Sequence, residues 1–334
     1  VTVWIVLVNY NGWADTRKCL ASLREVRTFA PGIDVQVVLV DNASRENLLA
    51  EIEANDPWCH TIRNPVNAGW AGGNNTGIRH ALAHNAAQII LLNNDTTVAP
   101  NLIEALVQAA GQNPEYGVLG PVICYMDNPE QVQTDGCLFN PPSYNGFFRR
   151  KPVELGNQPA VTEVEIVNGC CMMISARAVR TIGLIDEQFF LIHEESDYNL
   201  RARQAGFKCG VLNEALVWHK GSSTFKATGS KIQRYYDARN LLRLLDKHAD
   251  QHPTGRSWFR SMPAYAKYVY YRYCQECEQG DRDSAEAVVE GVYDGLAGRY
   301  GAMEKNNRWG IGLLRRMFEM MRWVRSRKTA PGGI

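Results

Sequence analysis

The residues of this chain best able to do chemistry are acids and amides that end apolar runs. Gln88-Ile89-Ile90-Leu91-Leu92 reads as a strand in a sheet covered on both faces, and it stops at Asn93-Asn94-Asp95. One hard carboxylate with open positions suits a Mg²⁺ or Mn²⁺ held jointly by protein and a diphosphate. The same Asp also suits an ordinary strand-to-helix turn, with Asn101 capping a helix near Leu102. His193-Glu194-Glu195-Ser196-Asp197 puts three carboxylates at a helix start. The macrodipole favours acids there whatever the function, and Asp197 and Arg201 are spaced for a surface pair. A carboxylate aimed at an acceptor hydroxyl and partly desolvated would act as a general base. His219 follows an apolar strand and Trp218. Paired with Asp95 across a cleft it becomes a second metal ligand, a proximity that spacing leaves open. Asn67-Ala68-Gly69-Trp70-Ala71-Gly72-Gly73-Asn74-Asn75 is a glycine-rich helix entry, whose free N–H groups favour an anion. It lacks both GxGxxG after a first strand and Gly-Lys-Ser/Thr, which argues against dinucleotide and P-loop chemistry.

Alternating elements must position these groups. Strands are predicted at Val3–Val8, Asp34–Val40 and His60–Arg63 and up to Asn93, with helices at Asp15–Val26, Leu48–Asn55 and Gly72–Asn85. This βαβα order implies an α/β, doubly wound, mainly parallel sheet with its cleft at the strand carboxyl ends. Asn9, Asp41, Asn64 and Asp95 would then rim that cleft. Residues 126–160 read as an irregular excursion or hairpin. Val164–Asn168, Cys170–Ile174 and Val211–Val217 are expected as strands, and Glu195–Ala205 as a helix stopped by Gly206. Beyond Ile232 the chain looks helical, through Arg234–His248, Ala264–Glu278 and Asp283–Arg299.

The 334 residues, 45% apolar, suit a large domain with an appendage, or two domains. With 36 basic and 35 acidic residues there is no global field, and no nucleic-acid partner is expected. Nine scattered cysteines read as reduced cytosolic thiols, with Cys274-x-x-Cys277 packing in a helix. No run approaches the ~18 apolar residues of a membrane span. Polar Asn9-Tyr10-Asn11-Gly12 follows the first strand at once, so no signal peptide is expected, and the missing initiator Met points to processing or a chosen boundary. From Arg308 to Lys328 there are seven basic residues and one acid, Glu319, with Trp309, Leu313, Met317, Met320/Met321 and Val324 at helical spacing. Trp309 and Trp323 suit a membrane interface and the arginines anionic lipid. The alternative is a helix packed on the catalytic domain or a second subunit.

Taken jointly, Val8-Asn9-Tyr10-Asn11, Val40-Asp41-Asn42, Asn67-x-Gly69-x-x-Gly72-Gly73-Asn74, Asn93-Asn94-Asp95, Gly183-x-x-Asp186-Glu187-x-Phe189-Phe190, Glu194-Glu195-x-Asp197 and Trp218-His219 resemble glycosyltransferase family 2. The likeness is to its bacterial rhamnosyltransferase-like and galactofuranosyltransferase-like members. It runs in order over residues 2–225, with Tyr235-x-x-x-Arg239-Asn240 as a weaker echo. The resemblance implies a GT-A fold with a C-terminal helical extension, split as a nucleotide-sugar-binding and catalytic domain (1–225) and a helical region (226–334). It implies a dTDP- or UDP-linked sugar donor, Mg²⁺ or Mn²⁺, and inversion by direct displacement. Carried over by position, Asp41 would hydrogen-bond the pyrimidine and Asn9 line its pocket. Asn67, Gly69 and Asn74 would sit near the donor. Asn93-Asn94-Asp95 stands at the Asp-x-Asp position, with Asp95 and His219 on the metal. Glu195 stands at the base position, with Asp197 and Glu194 as alternatives, and Gly169 and Cys170 border the acceptor. Asn93 in place of the first Asp removes a charge from the metal site, and Glu195 in place of Asp lengthens the base by a methylene.

The activity implied is transfer of a hexose, L-rhamnose first, to a glycan or lipid-linked acceptor in bacterial cell-envelope polysaccharide synthesis. The implied location is cytoplasmic, with peripheral contact to the inner face of the cytoplasmic membrane, and homo-oligomerisation stays open. Two competing readings remain. A sugar-1-phosphate nucleotidyltransferase would need an early Gly-rich loop with a basic residue, which is missing here. A non-catalytic nucleotide-sugar or glycan-binding subunit is motivated by the depleted Asn93-Asn94-Asp95.

Overall fold

Alternation along the first strand sets the architecture. β1 (Thr2–Asn9) sends Val3, Ile5 and Leu7 into one apolar core and Trp4 and Val6 into another. That is the period of two of extended chain, and two cores mean a sheet buried on both faces. In this computed structural model the described residues are 1–30, 32–138, 160–221, 230–249, 258–304 and 309–328. They divide into two compact units: one holds the described residues up to Phe190 and those of Glu194–Ser223, the other Leu191–His193 and the described residues from Ser230 on.

In the first unit, β1 pairs in parallel with β2 (Asp34–Asp41) and β4 (Gln88–Asn93), and β2 with β3 (Cys59–Arg63). The helices α1 (Trp13–Phe29), α2 (Leu49–Asn55) and α3 (Gly69–Ala83) connect them. β5 (Thr96–Val98) and α4 (Leu102–Gln112) lead to β6 (Tyr116–Tyr125), β7 (Val132–Thr134), β8 (Val161–Val164) and β9 (Cys171–Ser175). After α5 (Ala176–Ile182) and α6 (Glu194–Gln204) comes β10 (Lys208–His219). The sheet runs β3-β2-β1-β4-β9-β6-β10-β5, with β7 beside β6 and β8 beside β10. The expected α/β sheet is therefore present, and it is mixed: β9 runs antiparallel to both β4 and β6.

Three local expectations change. The strand expected at Val164–Asn168 lies earlier, at Val161–Val164, because the Asn199 side chain takes both backbone groups of Val167 (3.1 Å each). Asn101 sits at the α4 N-cap without a capping bond; its backbone is already near-helical (φ −87°, ψ 1°), not in the extended geometry that aims a cap. α3 starts at Gly69 instead of Gly72, so all three glycines of the Asn67–Asn75 segment lie within the helix. A Cβ at Gly73 would stand 2.7 Å from Val8 Cγ1, and one at Gly77 would overlap Val6, so these glycines let the helix lie close on β1. The tip of the expected 126–160 excursion, residues 139–159, lies outside the described residues.

The second unit packs α7 (Ser230–Lys247), α8 (Trp258–Glu278), α9 (Arg282–Leu296) and α10 (Ile311–Lys328) around Leu241, Leu245, Val269, Val288 and Phe318. Asp281 caps α9 by accepting from Ser284 N. No helix among the described residues is long and apolar enough to cross a membrane, and all nine cysteines are free.

Candidate active site

The strand tips converge through side-chain amides. Asn9, fully buried at the end of β1, accepts from Gly12 N (3.1 Å), Thr16 Oγ1 (3.0 Å) and Asn94 Nδ2 (3.3 Å), and donates to Ser44 Oγ (3.0 Å). Asn94 also donates to Thr16 Oγ1 at 2.8 Å. Asn42 is a second hub. Its Nδ2 donates to Asn67 Oδ1 (2.9 Å) and Gly69 O (3.0 Å), and its Oδ1 accepts from Asn64 Nδ2 (3.0 Å) and Ala68 N (3.1 Å). Gly69 has φ +72° and faces the Phe190 ring and carbonyl closely, so only glycine fits there. Asp41 is fully buried; Arg63 Nη1 lies 2.5 Å from its Oδ2, and Ser44 N donates to its Oδ1 at 3.2 Å. Asn74, 2% exposed, donates back to Trp70 O inside α3. That bond stays within its own helix, and burial keeps the amide from solvent.

The structure brings Asp95 and His219 together. β10 runs antiparallel to β5, setting His219 opposite Thr96, and Asp95 Oδ1 lies 3.2 Å from His219 Nε2 with both side chains about nine-tenths buried. Lys220 N donates to Asp95 O at 3.0 Å, fixing the same corner. His219 Nδ1 lies 3.0 Å from Gln133 Oε1. An Nδ1–H donated to Gln133 would turn the Nε2 lone pair toward Asp95, the arrangement in which both atoms can face one cation. An oxygen and an imidazole nitrogen suit Mn²⁺ or Mg²⁺ completed by diphosphate oxygens and water. No group of three His, Cys, Asp or Glu among the described residues forms a full ligand set.

The three carboxylates opening α6 have separate fates. Asp197 is fully buried, and its Oδ2 accepts from Arg201 Nε at 2.8 Å. Arg201 also donates to Ile182 O and Leu184 O (3.0 Å each). The pair expected at the surface is thus interior, tying α6 to the chain after α5, which removes Asp197 from the front rank of bases. Glu194 is 4% exposed and its Oε2 has no hydrogen-bond partner. Burial, with the neighbouring Glu195 charge, pushes its pKa well above the ordinary carboxylate value. Glu195 is half-buried. A Cβ on Gly169 would meet Glu195 Cβ at 3.1 Å and Trp70 Cζ2 at 3.3 Å, so Gly169 leaves room for the stem of the Glu195 side chain. Trp70 Nε1 donates to Asn93 Oδ1 at 2.9 Å. Trp70, Asn93, Gly169 and Glu195 therefore form one connected group. Cys170 contributes its backbone, since Asn93 N donates to Cys170 O (2.9 Å), while burial raises its thiol pKa.

The sequence model described as Glycosyl transferase family 2 matches residues 4–183, more than half of the chain. The chain belongs to glycosyl transferase family 2. It is 28% identical over 245 residues to a low-salt glycan biosynthesis hexosyltransferase, Agl10, of Haloferax volcanii, covering 71% of this chain and 73% of that one. It is 27% identical over 257 residues to the dTDP-rhamnosyl transferase RfbF of Shigella flexneri (74% and 80%). It is 25% identical over 268 residues to the N-acetylglucosaminyl-diphospho-decaprenol L-rhamnosyltransferase of Mycobacterium tuberculosis (73% and 84%). Among solved structures it resembles the mannosyltransferase PcManGT of Pyrobaculum calidifontis with GDP-Man and Mn²⁺, at TM-score 0.55 and 12% identity, over 89% of this chain and 87% of that one. It also resembles GalNAc-T7 with UDP, GalNAc and Mn²⁺, at TM-score 0.53 and 16% identity, over 82% and 58%. The fold is GT-A-like, and the protein is a glycosyltransferase.

Four residues of this glycosyltransferase's candidate site escaped selection in the sequence. Asn42 and Trp70 sit inside quoted motifs but differ in no visible way from their polar and apolar neighbours. Arg63 ends a short strand, and Gln133 lies in a stretch without periodicity. The signal lay in their partners: Asn64, Asn67 and Gly69 for Asn42, Asn93 for Trp70, Asp41 for Arg63 and His219 for Gln133.

Proposed function

We propose that this chain is an inverting, divalent-metal-dependent transferase that moves L-rhamnose from a dTDP- or UDP-linked donor to a hydroxyl of a glycan or lipid-linked acceptor in polysaccharide synthesis. The facing of Asp95 Oδ1 and His219 Nε2 at 3.2 Å, at the carboxyl end of β4, carries this reading. Bound there, Mg²⁺ or Mn²⁺ would neutralise charge developing on the diphosphate leaving group. Support for a nucleotide-sugar donor with metal comes from the two structural likenesses, both captured with Mn²⁺. Support for rhamnose comes from the two relatives named as rhamnosyl transferases.

Residues 1–225 would carry donor binding and catalysis, and 226–334 would form a helical region that contacts a membrane or a second subunit. Glu195 would take the acceptor proton as the hydroxyl attacks from the face opposite the diphosphate, so no covalent glycosyl intermediate is needed. Burial and the Glu195 charge both raise the Glu194 pKa, which disfavours a second negative charge beside that base. Trp70 would hold Asn93 beside it. Peripheral contact with an anionic membrane is the finer reading of α10. Phe318 turns into the helical core, while Trp309, Leu313, Met320 and Trp323 stand outward at 87, 78, 61 and 53% exposure, with Arg316 and Arg322 exposed beside them.

The test is a thermal-shift and calorimetric panel of dTDP, UDP, GDP and their sugars with and without Mn²⁺. Metal-dependent stabilisation by one pyrimidine nucleotide, lost in Asp95→Ala and His219→Ala, is the expected result. No nucleotide response with metal present would overturn the donor site. Flotation on anionic vesicles, abolished by deleting 305–334, tests the membrane contact, and a concentration-dependent dimer without flotation would assign the stripe to a second copy instead.

A further inference from the structure

The chain entering α6 is strained, and the cause of its persistence is visible. Of the four residues before Glu194, three lie in the left-handed region without being glycine: Phe190 (φ 64°), Ile192 (φ 70°) and His193 (φ 72°). A β-branched residue there is a genuine outlier, and such strain survives only where the surroundings over-determine it. Asn240 of α7, fully buried, spends one amide on two successive carbonyls, donating to Leu191 O at 2.7 Å and Ile192 O at 2.9 Å. Its own Oδ1 accepts from Arg239 Nε at 2.9 Å, which fixes which way the amide points. Arg239 is fully buried against the rings of Tyr235 (5.4 Å) and Tyr236 (4.7 Å) and donates to Gly301 O at 2.7 Å.

A second grip lies one turn earlier on α7. His193 Nε2 stands 3.1 Å from Asp237 Oδ1, Tyr268 OH donates to Asp237 Oδ2 at 2.6 Å, and Arg272 Nε lies 4.0 Å away. Burial alone would raise the Asp237 carboxyl, but the His193 and Tyr268 bonds and the Arg272 charge outweigh it and lower its pKa. An ionised anchor thus holds the last residue before Glu194. Leu191–His193 group with the helical unit, and the next peptide bond opens the helix that carries Glu194 and Glu195.

We propose that Asn240 and Asp237 are positioning residues: by clamping the 191–193 turn they set the aim of the Glu194–Glu195 carboxylates. This rests on Glu195 being the base of the proposed transfer. The Tyr235-x-x-x-Arg239-Asn240 pattern then has a physical use. Tyr235 and Arg239 seat the amide, and Asn240 holds the turn whose next residue is Glu194.

The experiment measures kcat, the donor KM and thermal stability in the full chain for Asn240→Ala, for the milder isosteric Asp237→Asn, and for each combined with Ile192→Gly. Glycine removes the left-handed penalty and so relaxes the turn without restoring the clamp. Expected is a fall in kcat of roughly 10–100-fold in the single variants, with donor KM and the Mn²⁺-dependent nucleotide response unchanged. Ile192→Gly should then recover thermal stability but not kcat. Unchanged kcat in Asp237→Asn, or kcat returning in step with stability, overturns the proposal and leaves the clamp a structural device. If the wild type transfers no sugar from any nucleotide it binds, the reading of Glu195 falls and the proposal with it; if wild type and variants transfer alike, the proposal alone falls.

Discussion

At the strand tips nearly every polar side chain is satisfied by another, whereas at the start of α6 the polar groups are left unequal. Asn42 alone joins four partners across β2, β3 and α3, and Asn9 joins β1 to α1 and β4. Asp197, the fourth residue of α6, is equally well matched by Arg201. Between these saturated regions sit Glu194, with an orphaned buried oxygen, and Glu195, against a glycine that leaves space. A buried group left unpaired costs more than a satisfied one gains, so it persists only where something besides stability selects it. The contrast separates amides that build the strand-tip network from the acids to which the proposed function gives the proton transfer.

Substitutions break or sharpen that contrast. Glu195→Gln should lower turnover about 10²–10⁴-fold while the nucleotide-induced thermal shift survives, since only proton transfer is removed. A turnover near wild type would move the base elsewhere on α6. Asp197→Ala should instead cost stability, about 3–5 kcal/mol in urea titration, because Arg201 is left with an uncompensated interior charge. Asn42→Ala strands four partners and should cost about 2–4 kcal/mol, with loss of nucleotide binding as the tips loosen; retained affinity would show the network to be dispensable.

Glu194→Gln should act in the opposite direction. A carboxyl whose pKa is raised by folding contributes its full stability below the ordinary value of 4.5 and loses it as pH rises through the raised value. The glutamine cannot ionise, so its urea midpoint should gain on the wild type between pH 4 and pH 8, and parallel midpoints would refute the buried acid. Smallest of all, Arg17→Ala removes a pair in which both side chains are 46% exposed and should cost at most about 1 kcal/mol.

Much of the sheet was legible because the apolar runs of β1, β2 and β4 are long and end in polar residues that cannot continue a buried strand. β9 was less so: five apolar residues do not say which way they run, and its antiparallel place depends on β4 and β6 together. Asp95, His219 and the α6 acids stood out by type, yet their relations did not. Proximity of Asp95 to His219 is made by β10 meeting β5, and the burial of Asp197 is made by Arg201 reaching two carbonyls after α5. The glycines of α3 were ambiguous for a physical reason: close approach to a strand, seen at Gly73 and Gly77, and close approach to a phosphate demand the same residue.

The position of β10 has a consequence for how such a chain matures. It slots between β6 and β5, both made much earlier, and its last residue is His219. A ribosome therefore releases Asp95 into a growing chain long before its imidazole partner exists. Pairings this distant in sequence form slowly. The Asp95–His219 corner is then completed only when β10 threads home, so under the proposed function a nascent or truncated chain would carry the strand tips without the means to seat a charged donor.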